Sequence, residues 1–280
     1  MAGLTPAAAM PEVRWLDARA ITLGDAELDV LGRPERARAA AFAFAADRHR
    51  YQVAHVALRQ ALSGRTGIPP GKLGFRRERC PRCGGRNGRP ALAGHGGVHF
   101  SLAHSADAVA IAIAAAPVGI DIERMLRRCT CDLADAMHGD DAARTRLLPE
   151  PQRHAAIMRW WVAAEAVLKC TGAGIAHGLA DFPVRCGPAG AGGLAQRVAG
   201  CWLLPLAAPR GYAAAIALRT AEWPAPVPVS AGRPGPAASR PGTAVAAVPG
   251  RAESGRFGSD GPRGMRGRQD EKPGTRRAPQ

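Results

Sequence analysis

Two carboxylates separated by one residue close a predicted strand at 118–123. Asp121 and Glu123 follow the apolar run AVAIAIAAA at 108–116, and isoleucines alternate with them. Because alternate residues of a strand share one face, the two carboxylates point the same way while the isoleucines face the core. Carboxylates this close repel each other unless a cation lies between them, and such oxygen ligands suit Mg²⁺. A solvated acidic face at a strand end is the alternative interpretation.

A glutamate and a lysine four residues apart form the second candidate group. Glu165 and Lys169 share one face of a helix predicted over 151–170, which stops at Gly172, and Trp161 lies one turn earlier. An isolated pair of this kind is an ordinary surface ion pair worth a few tenths of a kcal/mol. Beside a divalent cation, the same pair would supply a third carboxylate and a cationic proton donor.

Basic and polar residues that could bind phosphate form the third group. His104 and Ser105 lie in a predicted turn between strands, Arg50 and Arg59 lie on the first predicted helix, and Arg89 follows Gly88 in a loop. Arginines on helices are usually solvated, so none of these residues predicts a site by itself.

The elements that must position these residues follow from hydrophobic spacing and turn residues. Helices are predicted over 34–63 (with a break near 46–47), 131–141 and 151–170. Strands are predicted over 71–78, 98–102, 108–114, 118–123, 178–186, 196–207 and 211–220. Each half of the chain gives a helix first and strands after it. The sequence therefore predicts an α+β fold of two similar subdomains related by a pseudo-twofold axis, over 1–116 and 117–224.

The C-terminal segment 225–280 has a different composition. Residues 231–280 contain 17 Gly and Pro residues, one aromatic residue and a net charge of +6, out of +15 for the chain. Such a segment cannot bury enough surface to offset its ordering entropy, so we expect a disordered tail. Its arginines are explained by biased composition better than by nucleic-acid binding. The remaining +9 on residues 1–230 indicates acidic partners or phosphate ligands.

Composition also bears on compartment and metals. The sequence has no run that could span a membrane and no export signal, and seven scattered cysteines do not form a disulfide framework, so a cytoplasmic protein is expected. The CPRC element at 80–83 offers two of the four ligands of a structural zinc site. Cys129 and Cys131 could complete it only if the fold brought them close, so zinc is not expected.

Taken together, four motifs resemble one family, the 4′-phosphopantetheinyl transferases of the double-length, surfactin-synthetase-activating type. They are GIDIE at 119–123, WVAAEAVLK at 161–169, AHS at 103–105 and GRP at 88–90. The resemblance runs from about 31 to 220. It implies an Mg²⁺-dependent enzyme that transfers phosphopantetheine from coenzyme A to a serine of an acidic acyl or peptidyl carrier protein.

The resemblance also implies roles for residues. Asp121, Glu123 and Glu165 would bind Mg²⁺, and Glu165, Lys169 and His104 would act in the transfer. Coenzyme A would be held by a basic and polar set: Arg38, Arg50, Arg89, His104, Ser105 and Lys169. Because both halves lie in one chain, an active monomer without membrane or nucleic-acid partners is expected.

Two positions depart from the family pattern. Ala164 replaces the lysine usually found before the motif glutamate, and Ala103 replaces the serine before the motif histidine. These departures leave open a non-catalytic coenzyme A or nucleotide-binding protein of the same fold. A nucleic-acid-binding protein is a third hypothesis, which the lack of aromatic residues among the basic ones disfavours.

Overall fold

Alternating apolar residues produce most of the strands where the sequence predicts them. The computed structural model describes residues 11–125, 137, 139–174, 184–185, 195–221 and 229–231, which fall within one unit, Met1–Gly235. The second unit, Pro236–Gln280, lies outside the described residues. The described chain mixes helices and sheets, which confirms the α+β class. The boundary between the predicted halves at 116 and 117 stays a prediction.

The described strands number ten and the described α-helices five. The strands are β1 Glu12–Asp17, β2 Phe75–Arg77, β3 Pro90–Leu92, β4 His99–Ser105, β5 Ala108–Ala114, β6 Val118–Arg124, β7 Gln196–Val198, β8 Cys201–Leu206, β9 Tyr212–Leu218 and β10 Val229–Ala231. The helices are α1 Asp25–Leu28, α2 Arg33–Ala40, α3 Ala45–Thr66, α4 Gly139–Arg146 and α5 Glu150–Thr171.

Two four-stranded sheets carry the fold. The first has the order β10-β1-β5-β4 and the second the order β6-β9-β8-β7, while β2 and β3 form a separate hairpin. Neighbouring strands are antiparallel except that β10 runs parallel to β1. Strand β10 falls in the segment expected to be disordered, and the rest of that segment, 225–228 and 232–280, lies outside the described residues.

Three apolar layers hold these elements together. Helix α3 packs on one face of the first sheet, helix α5 packs on one face of the second, and the remaining faces of the two sheets pack on each other. Strand β5 explains the arrangement, because Val109, Ile111 and Ile113 face α3 while its alanines face the second sheet. A strand buried on both faces is expected to be apolar throughout.

The first long helix is two helices. The sequence predicts one helix over 34–63 with a break near 46–47, but residues 41–44 separate α2 from α3. The break lets Glu35 on α2 bind Arg59 on α3, with a nitrogen–oxygen distance of 2.7 Å. On a continuous helix these residues would lie about 36 Å apart, so the chain must fold back.

Several other predictions were imprecise or lie outside the described residues. Strand β4 continues through His104 and Ser105, so the prediction that these residues form a turn was wrong; the turn is at Ala106, which has a φ of 46°. The predicted segment 196–207 is a hairpin of β7 and β8. The predicted helix 131–141 and strand 178–186 lie mostly outside the described residues. The sequence analysis missed β1, β3, α1 and β10.

Candidate active site

Strand β6 lies against helix α5, and this packing brings the two acidic motifs together. The contact is close because of Gly119, where an added Cβ would meet the Ala166 carbonyl oxygen at 2.0 Å and the Cys170 nitrogen at 2.4 Å. Residues 119, 121 and 123 share the face of β6 that looks toward α5. Asp121 on β6 and Glu165 on α5 are both buried, at 4% and 7% exposed.

Lys169 bridges the strand and the helix. Its Nζ donates to Asp121 Oδ1 at 2.6 Å. Asp121 Oδ2 and Glu165 Oε1 are buried and have no hydrogen-bond partner among the described residues. A buried charged oxygen without a donor is costly, so this pocket favours either a proton or a cation.

The pKa values of these carboxyls respond to the same environment. Burial raises the pKa of Asp121, and the Lys169 ammonium opposes that rise. Burial also raises the pKa of Glu165 to about 7; Lys169 again lowers it, while the charges of Asp121 and Glu123 raise it. The charges of Asp121 and Glu123 therefore both favour a proton or a cation at Glu165.

Glu123 is held by residues from two other elements. Ser105 on β4 donates its hydroxyl to Glu123 Oε2 at 2.5 Å, and the nearby Trp161 side chain lowers the pKa of this carboxyl. Burial is the largest influence on the pKa of Glu123 and raises it. Ser105 Oγ also accepts from the Arg124 backbone nitrogen at 3.1 Å. In this structure Ser105 therefore positions a carboxylate.

His104 stands close to the same charges. It is an exposed residue of β4, yet the surrounding protein desolvates its imidazole and lowers its pKa, and the positive charges of Arg50 and Lys169 lower it further. A neutral imidazole can donate one hydrogen bond from one ring nitrogen and accept another at the second ring nitrogen. His104 thus lies near the carboxylate site, although its side chain forms no hydrogen bond with that site in the described part of the chain.

A cavity of about 870 Å³ opens beside Glu165 and Lys169. Arg89 also lines it, so one space brings together residues of two predicted motifs, GRP at 88–90 and WVAAEAVLK at 161–169. Arg89 donates to Glu78 Oε2 at 2.6 Å and to the Cys170 carbonyl at 2.7 Å, while its Nε is buried without a partner among the described residues. The arginine is therefore held in place, and its Nε–H is among the N–H groups that these two bonds leave unused.

Of the remaining predicted phosphate-binding residues, only Arg59 is among the described residues that line this cavity. Arg38 is exposed at the end of α2, with its guanidinium 5.2 Å from the centroid of the Phe42 ring. Arg50 pairs with Asp47 at 3.0 Å, and its Nε is buried without a partner among the described residues. Arg59 lines the cavity, but its guanidinium binds Glu35 and two backbone carbonyls, which makes it a structural residue.

Sequence reasoning missed residues that support the site. Glu78 holds Arg89, and Ser101 Oγ accepts from the Ile120 nitrogen at 3.0 Å, which ties β4 to β6. Ser101 and Ser105 share one face of β4, and this spacing could have predicted that both contact the same neighbouring strand. Nothing in the sequence pairs Glu78 with Arg89 until the β2–β3 hairpin is known.

The described residues contain no three His, Cys, Asp or Glu side chains already arranged to hold a metal ion. This includes the CPRC turn, where Cys80 is buried and Cys83 exposed. Hydrogen bonds from the Cys83 and Arg82 backbone lower the pKa of Cys80. Cys129 and Cys131, which the sequence analysis considered as partners, lie outside the described residues. Within the described part of the chain, no helix is long and apolar enough to cross a bilayer.

Comparisons with known proteins agree with the motifs. Residues 117–217 match the family model of the 4′-phosphopantetheinyl transferase superfamily. The chain is 32% identical over 152 residues to the 4′-phosphopantetheinyl transferase psf-1 of Bacillus pumilus, covering 54% of this chain and 62% of that protein. It is 33% identical over 154 residues to the 4′-phosphopantetheinyl transferase HetI of Nostoc sp., covering 52% of this chain and 61% of that protein.

The chain thus matches about three fifths of the length of these curated relatives. The matched segment 117–217 contains β6 and α5, which carry Asp121, Glu165 and Lys169. The resemblance read from the motifs is confirmed over residues 117–217, which match the model of the 4′-phosphopantetheinyl transferase superfamily.

Proposed function

We propose that this chain transfers 4′-phosphopantetheine from coenzyme A to a serine of an acyl or peptidyl carrier protein. The observation that carries the proposal is the cavity shared by Arg89, Glu165 and Lys169, beside the buried Asp121. An anionic ligand in that space would meet a fixed arginine and a lysine, and its reacting end would meet buried carboxylates. The relatives psf-1 and HetI bear the name of this activity.

The transfer itself exchanges one phosphorus–oxygen bond for another. The carrier serine oxygen attacks the phosphorus attached to pantetheine, and the bond to the leaving 3′,5′-ADP breaks. Glu165 accepts the serine proton, a role for which a pKa of about 7 is well matched near neutral pH. Lys169 balances the negative charge on the transferring and leaving groups, and the neutral imidazole of His104 donates a hydrogen bond to them.

Asp121, Glu123 and Glu165 would hold Mg²⁺. The donor chemistry fits, because Asp121 Oδ2 and Glu165 Oε1 are buried oxygens without donors among the described residues. A common site requires these side chains to turn toward one point, with Lys169 giving up part of its hold on Asp121. When bound, the ion would neutralise charge on the pyrophosphate of coenzyme A.

The phosphates of coenzyme A would be bound by the basic set carried over from the family. Arg89 has the strongest support, because it lines the cavity and keeps a free Nε–H among the described residues. Arg50, His104 and Ser105 would act from the neighbouring face of α3 and β4, and Arg38 from the end of α2. Since these residues and the carboxylates belong to one chain, we propose an active monomer with two pseudo-symmetric halves in the cytoplasm.

A coenzyme A-binding protein without transfer activity is the second candidate. It is favoured by Ala164 and Ala103, which are buried at 0% and 5% exposure, so neither position supplies the polar group of the family pattern. Both alanines pack in apolar layers, which explains how the fold accommodates them.

Mass spectrometry of apo carrier proteins separates the two candidates. A panel of fatty-acid, polyketide and non-ribosomal peptide carriers is incubated with the chain, coenzyme A and Mg²⁺, and the phosphopantetheine adduct is sought on the carrier serine. We expect an adduct on at least one carrier and none with chelator. Coenzyme A binding without any adduct would favour the non-catalytic candidate.

A further inference from the structure

An arginine-rich hairpin borders the cavity and belongs to neither large sheet. The β2–β3 hairpin includes the segment 76–89, which runs from the middle of β2 to the residue before β3. This segment contains six arginines and one acidic residue, Glu78. Glu78 is occupied by Arg89 at 2.6 Å. We call residues 76–89 the arginine hairpin.

Most of its charge faces solvent. Five of the six arginines are exposed: Arg76, Arg77, Arg79, Arg82 and Arg86. Apart from Arg82, these exposed arginines form no ion pair with a carboxylate in the described part of the chain. Uncompensated like charges on so short a segment create a strong local positive potential, which an acidic partner would neutralise.

The hairpin holds these charges at fixed positions. The Cys80 nitrogen donates to the Gly85 carbonyl at 2.7 Å, and the Gly84 nitrogen donates to the Cys80 carbonyl at 2.9 Å. Arg77 donates to the Gly88 carbonyl at 3.0 Å. The Cys80 thiol contacts the Ala173 carbonyl at 3.6 Å, which ties the hairpin to the end of α5. A preorganised charged surface loses little entropy when a partner binds.

We propose that the arginine hairpin is the docking surface for an acidic carrier protein, an inference that rests on the function proposed above. Arg76 and Arg77 line the cavity together with Glu165 and Lys169. A protein that docks on the outer arginines therefore lies at the cavity, where its serine must reach Glu165.

The occupant is an acidic protein surface rather than a nucleic acid. Single-stranded nucleic acids are held by aromatic side chains on which bases stack, and residues 76–89 contain none. A helix bearing several exposed carboxylates matches a compact group of guanidiniums, which bind carboxylates in a bidentate manner. Such contacts at an interface rim act mainly on the association rate and depend on salt.

A double charge reversal tests the proposal without touching the cavity. Arg79 and Arg86 are exposed and do not line the cavity, so R79E/R86E alters the outer face and removes one hydrogen bond within the hairpin, from Arg79 to the Gly84 carbonyl at 3.3 Å. The control R65E/R210E reverses two exposed arginines elsewhere and changes the net charge by the same amount. Circular dichroism and the melting temperature verify that both variants fold; R79Q/R86Q replaces the first variant if it does not.

We expect R79E/R86E to raise KM for a modified carrier about tenfold at low salt, with kcat and the Kd for coenzyme A unchanged. The control should change KM less than about twofold, and added salt should reduce the difference. Equal KM changes in both variants, or a loss of coenzyme A affinity confined to R79E/R86E, would overturn the docking surface.

Binding to a carrier whose acceptor serine is alanine separates this inference from the proposed function. Fluorescence anisotropy measures that binding whether or not transfer occurs. If the unmodified chain binds the carrier but transfers nothing, the proposed function fails, and a selective weakening by R79E/R86E still supports docking. If the unmodified chain does not bind, or if a DNA duplex binds at the hairpin more tightly than the carrier, the docking proposal fails.

Discussion

Lys169 Nζ lies 2.6 Å from Asp121 Oδ1, joining a helix to a strand 48 residues away in sequence. This contact compensates one oxygen of a nearly buried carboxylate and leaves the other without a donor among the described residues. A cation or a further donor at Asp121 Oδ2 would complete the compensation of this charge. The first prediction therefore concerns Asp121.

Asp121→Asn should lower the transfer rate by about 100-fold or more, because it removes a charge that stabilises the reacting groups while keeping the side-chain shape. The measurement is the initial rate of carrier modification at saturating Mg²⁺. Asp17→Asn, at a half-exposed position outside the site, is the matched control and should leave the rate unchanged. Full activity of Asp121→Asn would remove this residue from the metal set.

Glu165 should make the free energy of unfolding fall between about pH 4.5 and 7 in the presence of a chelator. Its pKa is raised in the folded state to about 7, so over this range the native chain binds more protons than the unfolded chain. Stability contributed by the protonated form is complete below the unfolded pKa and is lost as pH rises.

The size of this effect is about 3 kcal/mol at most, by the usual conversion of a pKa shift. Glu165→Gln should make the free energy of unfolding decrease less steeply with pH. Urea titrations at several pH values measure this slope. The raised pKa values of Asp121 and Glu123 act in the same direction, so part of the slope should remain. An unchanged slope in Glu165→Gln would contradict the buried, protonated state.

Gly119→Ala should prevent stable folding. The new Cβ would lie 2.0 Å from the Ala166 carbonyl oxygen and 2.4 Å from the Cys170 nitrogen. These are backbone atoms, so relieving the overlap would require the helix to move away from the strand. Gly64→Ala is the matched control. Gly64 lies in α3, where an added Cβ would meet open space. Alanine there should raise the free energy of unfolding by about 0.5–1 kcal/mol. Melting temperatures of the two variants test the contrast.

Neutralising Arg89 or Arg50 should weaken the binding of coenzyme A more than the binding of dephospho-coenzyme A. The second ligand lacks the 3′-phosphate that such arginines would hold. A charge-assisted contact is worth roughly 1.5–3 kcal/mol, or about 10- to 150-fold in affinity. Calorimetric titration of Arg89→Gln and Arg50→Gln with both ligands measures the difference. Equal losses for both ligands would assign these arginines to another role.

Removing residues 232–280 should leave the melting temperature and transfer rate nearly unchanged, as expected of a Gly- and Pro-rich tail. Removing residues 226–280 also deletes β10, which pairs with β1. That deletion should be less stable, because β1 then becomes an edge strand with unpaired backbone groups. If the shorter deletion already lowers stability or rate, the tail packs on the body or recruits the carrier.

Local sequence determined the elements that carry the chemistry. Strand β5 was predicted at its observed bounds, and β6 and α5 within one residue at each end, because alternation and helical spacing are properties of adjacent residues. The same local rules predicted that Asp121 and Glu123 share a face and that Glu165 and Lys169 share another. The family motifs were readable for the same reason.

Tertiary structure alone decided which of these groups meet. Three side-chain pairs depend on how distant elements pack, which no local pattern encodes. They are Asp121 with Lys169, Ser105 with Glu123, and Glu78 with Arg89. Packing also decides burial, and burial raises the pKa of Glu165. Packing likewise gives Arg59, which the sequence offered only as one of several residues that could bind phosphate, a structural role. The physical reason is that solvation and side-chain contact are properties of the assembled layers, whereas strand and helix faces are properties of the chain.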